Sequence, residues 1–73
     1  MQENIFLIML TFENLQQGHK YFLRNYSEES RFEVLEILND TDCIVKHLET
    51  LEVFHLADLV QFGISKNYEI REI

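Results

Sequence analysis

The sequence predicts an all-β fold, a small barrel or meander of about five short strands with one short helical turn before the last. Three observations point there. Aromatic and β-branched residues alternate with charged ones at a period of two, most cleanly in "NYEIREI" (67–73). The apolar runs are short and broken by polar clusters such as "NDTD" (39–42), residues that bond locally to the backbone and form turns. There is no proline, and only two glycines, Gly18 and Gly63, mark further turns.

The elements follow in chain order. "MQENIFLIMLTF" carries an uncharged apolar run from Ile5 to Leu10, far short of the roughly 20 residues that span a bilayer. It lacks the basic start and small-residue cleavage site of a signal peptide. "MLTFENLQQGHKYF", from Met9, is itself a sensible beginning, which would make residues 1–8 an upstream extension; residues 1–10 are read as an N-terminal extension or an edge strand. Left exposed, that run would be adhesive and would favour a dimer. "HKYFLRNY" (19–26) sets Tyr21 and Leu23 against Lys20, Phe22 and Arg24. "RFEVLEI" (31–37) and "CIVKHL" (43–48) flank the polar "NDTD" cluster as a hairpin. "LEVFH" (51–55) adds a strand beyond a bend at Glu49 and Thr50. "LADLV" (56–60) favours helix and is read as a single turn. In the last strand Tyr68 and Ile70 oppose Glu69 and Arg71.

A helical reading competes. Ser27 would cap "EESRFEVLEIL", and Thr41 or Asp42 would cap a second helix stopped by Gly63. Phe32, Leu35 and Leu38 then form a stripe, but Val34 and Ile37 fall off it. A small helical or α+β domain is therefore the alternative, and strands account for more residues.

The layout resembles that of SH3-like and Tudor-like small barrels over residues 15–73. "LQQGHKYFL" (15–23) looks like the lead-in of such barrels, where a glycine turn precedes a strand beginning with an aromatic residue. Three central strands follow from Arg31 to His55; "HLADLVQF" matches the short helical turn before the last strand, and "NYEIREI" that strand. The stretch "VKHLETLEVFHLADLVQFG" (45–63) is similar to those of small bacterial domains. The resemblance implies an SH3-like barrel. With no tryptophan and no acidic loop of the signalling SH3 kind, it does not extend to polyproline recognition.

Seventy-three residues make one domain, 1–73, which buries only about 60% of its unfolded surface. An apolar fraction of 47% and nine aromatic residues, six Phe and three Tyr, suit a compact core rather than disorder. The single cysteine, Cys43, rules out an intrachain disulfide and reads as a small buried hydrophobe, fitting a reducing, cytoplasmic setting. Thirteen acidic residues against six basic ones give a net charge of −7. That surface repels phosphate backbones, so direct nucleic-acid binding is disfavoured. The basic residues are scattered along the chain, and a patch of Lys20, Arg24, Lys46 and Arg71 would have to be assembled by folding.

Candidate sites are sparse. His47 and His55 lie in neighbouring segments and, with Glu49 or Glu52, would be the only metal candidates, but no recognised ligand spacing is present. Neither metal nor cofactor is expected. Tyr21, Phe22, Tyr26, Phe32 and Tyr68 could contribute to an aromatic cage for a cation, as in some Tudor-like barrels, helped by Glu28, Glu29 and Glu69. Ordinary core packing is the plainer role for most of them. Phe22, Tyr26 and Tyr68 are the binding candidates, with Phe22 and Tyr26 expected to face outwards. No serine sits in a strained elbow, no glycine-rich loop could cradle phosphate, and no carboxylates form a recognisable acid–base motif. The expectation is a non-enzymatic module with no small-molecule substrate and no membrane partner, acting by protein–protein contact or self-association. The alternative is a nucleic-acid-linked role, through weak binding or through an acidic surface that occupies a nucleic-acid-binding protein.

Overall fold

Among the described residues, five strands and one 3-10 turn carry the fold. A computed structural model describes Phe12 and residues 14–73. The expected extension or edge strand at residues 1–10 lies outside those residues. The strands are β1 (Lys20–Asn25), β2 (Glu28–Asn39), β3 (Asp42–His47), β4 (Val53–His55) and β5 (Glu69–Glu72), with the 3-10 turn Leu56–Val60 between β4 and β5. All described pairings are antiparallel, in the order β4-β3-β2-β1-β5. The first four strands are thus a meander, and the last returns to the free side of β1. Among the described residues the sheet is open, with β4 and β5 as its edges.

The class is all-β, and the helical alternative falls because residues 28–39 form one extended strand. That strand is longer than the expected 31–37. Its first half pairs with β1 through Glu28–Glu33, and its second with β3 through Phe32–Asn39. Register shifts at Leu35 and Leu38 leave these two residues without cross-strand partners, and bulges of this kind bend a strand and increase its twist. The helical stripe that includes both leucines is therefore an accident of the bulges.

Pleating sorts the side chains. Tyr21 and Leu23 of β1, Phe32 and Val34 of β2, and Cys43 and Val45 of β3 point to one side and are buried. Tyr21 and Phe32 are cross-strand partners with ring centroids 6.1 Å apart. Leu56 and Val60, at one end and the other of the 3-10 turn, pack into this core, with Phe54, Leu59, Ile64, Tyr68 and Ile70 around it. Phe32, Leu23 and Leu56 are among the largest fully buried side chains, each stabilising the fold by about 1.5–3 kcal/mol. The lead-in also docks. Phe12 and Leu15 are buried, Gly18 donates its N–H to the Val34 carbonyl at 2.7 Å, and Val34 returns one to the His19 carbonyl at 3.0 Å. Gly18 and Gly63 both have positive φ, +87° and +98°, as expected of turn glycines. No helix among the described residues is long and apolar enough to cross a membrane.

Candidate functional site

The β1–β2 connection is a two-residue hairpin in which Asn25 pairs with Glu28 across Tyr26 and Ser27. Both central residues have positive φ, 54° and 68°, as a type I′ turn requires. Asn-Gly is the favoured pair there, because a left-handed backbone costs an ordinary residue roughly 1–2 kcal/mol. A tyrosine and a serine in these positions conflict with their local preference, so contacts from elsewhere must hold them.

Those contacts come from the segment after the 3-10 turn. Asn25, only 6% exposed, donates from Nδ2 to the carbonyls of Leu59 and Gly63, both at 3.0 Å, and accepts the Ser65 N–H at 2.9 Å through Oδ1. Ser65 Oγ accepts the Tyr26 N–H at 2.9 Å, and Tyr26 Oη donates to the Phe62 carbonyl at 3.3 Å. Asn25 therefore fastens the hairpin tip to residues 59–65, with no buried side-chain polar atom left unpaired among the described residues.

The result is an aromatic corner. Tyr26 is 55% exposed, and Phe62, next to it, is 84% exposed. They line a solvent-open recess of about 370 Å³ together with the carboxylate residues Glu28 and Asp58 and with Asn25, Leu59 and Gln61. Among the described residues, no basic residue lines it. Of its members, Tyr26 was a sequence candidate and Glu28 a suspected acidic neighbour; Phe62, Asp58 and Asn25 were missed. The available signal was that Phe62 stands just before the second of only two glycines.

The other aromatic candidates lie elsewhere. Tyr21 and Phe32 are core, and Tyr68 is half-buried against that core, with burial raising the pKa of its hydroxyl. Phe22 does project from the face opposite Tyr21 and Leu23, but its expected exposure is wrong: it is 3% exposed. The guanidinium carbons of Arg71, Arg31 and Arg24 lie 4.4, 5.2 and 5.9 Å from its ring centroid and cover it. Register explains this, since Arg31 and Arg71 are its cross-strand neighbours on either side and Arg24 is two residues along.

Residues far apart in the chain are thus gathered on one outer face. Lys20, Arg24, Arg31, Lys46 and Arg71 share it with Glu29, Glu33 and Glu69. Arg24 pairs with Glu69 at 2.9 Å and Glu29 at 3.8 Å, and Arg71 also pairs with Glu69. The four basic residues suspected from the sequence do share one face, with Arg31 as an unanticipated fifth.

The histidines go to three places. His19 Nδ1 lies 2.7 Å from Glu72, and His47 Nδ1 accepts the N–H groups of Glu49 and Thr50 within its own turn. His55 Nδ1 lies 2.6 Å from Asp42 Oδ2, while Asp42 Oδ1 accepts the N–H groups of Cys43 and Ala57. Asp42 thereby ties the start of β3 to the 3-10 turn. Its pKa is pushed up by burial but lowered on balance by the hydrogen bonds from His55, Ala57 and Cys43, and the His55 pKa is raised by Asp42. No group of three or more metal-ligating side chains occurs among the described residues. Cys43 is fully buried, and burial, with the neighbouring Asp42 charge, raises its thiol pKa.

No known protein family, curated protein or solved structure matches the chain.

Proposed function

We propose that this chain is a non-enzymatic SH3-like barrel module that works by protein–protein contact, and that the corner of Tyr26 and Phe62 is its contact surface. The meander, the return of the last strand to β1 and the 3-10 turn just before it support the SH3-like reading. One observation carries the contact reading: two aromatic residues stand in water side by side, and one of them, Tyr26, sits on a left-handed backbone in a hairpin tip fastened by a buried asparagine. Aromatic residues beside a recess are typical anchors of protein interfaces, and strained backbone is concentrated where a side chain must be held in place. Self-association is the same reading with a second copy as the partner.

The test is a photo-crosslinking residue placed at Phe62, compared with the same residue at Leu51, which is 63% exposed on a different loop. Discrete protein adducts from position 62 and not from 51, in the native host, are expected; equal or absent adducts at both would refute it. Sedimentation across a concentration series identifies self-association.

A second reading is favoured by the outer face around Phe22, where five of the six basic residues gather. Such a patch would bind nucleic acid weakly through phosphates. A salt-sensitive mobility shift of labelled DNA, reduced by Arg31→Glu, is its test.

A further inference from the structure

We propose that the recess between Tyr26 and Phe62 receives a lysine or arginine side chain from a basic segment of a partner protein. This rests on the contact reading above and names its ligand. The chain treats its outward-pointing rings in two ways. Phe22 is covered by three of the protein's own guanidiniums. Tyr26 and Phe62 have, among the described residues, no basic residue in the recess they line, although Glu28 and Asp58 line it too. Neither carboxylate is in an ion pair among the described residues. Ring faces and carboxylates attract the same kind of group, an organic cation with an apolar stem. A metal ion fits poorly, because two carboxylates alone do not complete a coordination sphere.

Size and field agree. A recess of about 370 Å³ sits at the small end of ligand sites and suits one long side chain whose backbone runs on over the surface. The net charge of −7 steers a basic partner towards the domain and repels an acidic one. The stem would lie against the two rings, and the charged head would reach Glu28 or Asp58.

Two-dimensional amide and aromatic NMR of the full chain tests this with short, otherwise glycine peptides carrying lysine, arginine, Nε-acetyl-lysine or norleucine. Lysine and arginine peptides should shift the rings of Tyr26 and Phe62 and the amides around 25–28 and 58–63. The acetyl-lysine and norleucine peptides should bind about tenfold more weakly. Asp58→Asn and Glu28→Gln, both conservative and on the surface, should each weaken the lysine peptide by roughly two- to fivefold. Equal binding of norleucine and lysine overturns the choice of a cation and leaves the corner a contact site. Shifts confined to other surfaces, or no shifts, overturn the inference, and position-62 crosslinking then decides the contact reading separately. Corner shifts that grow with protein concentration without peptide, and vanish in Arg31→Glu, would make the occupant a second copy and overturn the separate partner.

Discussion

Replacing Tyr26 and Ser27 by Asn and Gly should raise the stability of this domain while removing half of its aromatic corner. Both residues hold positive φ, 54° and 68°. Relieving Ser27 with glycine recovers roughly 1–2 kcal/mol of steric cost, less about 0.5–1 kcal/mol for the greater freedom of glycine in the unfolded chain. Asparagine tolerates the left-handed region better than tyrosine and recovers up to about 1 kcal/mol more. Against this stands the Tyr26 hydroxyl bond to the Phe62 carbonyl, long at 3.3 Å and exposed, worth about 0.5–1 kcal/mol at most. The Tyr26 amide bond to Ser65 survives, because it uses only the backbone of residue 26. The net gain is about 1 kcal/mol, or roughly 4–8 °C in Tm for a domain of this size. Thermal unfolding followed by circular dichroism measures it. A loss of 1 kcal/mol or more would refute the reasoning, since Tyr26 would then be needed for folding and its exposure would have no separate purpose.

Asn25→Asp should cost about 2–4 kcal/mol, because it sets a carboxylate against the carbonyls of Leu59 and Gly63 where an amide now donates to both; urea denaturation reads the loss. Phe62→Ala should change stability by less than about 0.5 kcal/mol, whereas Leu56→Ala, in a fully buried position, should cost about 2–5 kcal/mol by the same assay. The Asp42–His55 pair makes stability depend on pH from both sides. The raised His55 pKa adds stability that is complete below its ordinary value of 6.5 and is lost as pH rises through the raised value. The lowered Asp42 pKa adds stability that is complete above its ordinary value of 3.8 and is lost as pH falls through the lowered one. The denaturation midpoint should therefore decrease as pH rises above the ordinary histidine value of 6.5 in the native protein, and decrease less in His55→Gln.

The strands were legible because burial on one face imposes a period of two. Tyr21 and Leu23 against Lys20, Phe22 and Arg24, and Tyr68 and Ile70 against Glu69 and Arg71, fall as their alternation predicts. The turn at Leu56–Val60 was legible from helix-favouring residues too few for a helix. The length of β2 was not, because Leu35 and Leu38 break the alternation at two bulges and mimic a helical stripe. The surface was less legible than the core. Alternation turns Phe22 away from the core, but only the register with Arg31 and Arg71 shows that it is covered. The corner depends on Asn25 reaching Leu59, Gly63 and Ser65, more than thirty residues away, and no local pattern encodes that distance. A hairpin tip reading Asn-Tyr-Ser-Glu gives no sign that its central pair has positive φ.

Hydrogen exchange at the Ser65 amide tests most directly whether the two rings are held in place before any partner arrives. That N–H is bonded to the Asn25 side chain and to no strand, so its protection reports how firmly the 59–65 segment is fastened to the hairpin tip. Protection comparable to that of the β1 and β2 amides is the predicted result. Exchange at the rate of an unstructured peptide would mean that Phe62 has no fixed position beside Tyr26, and the preformed corner would have to be abandoned.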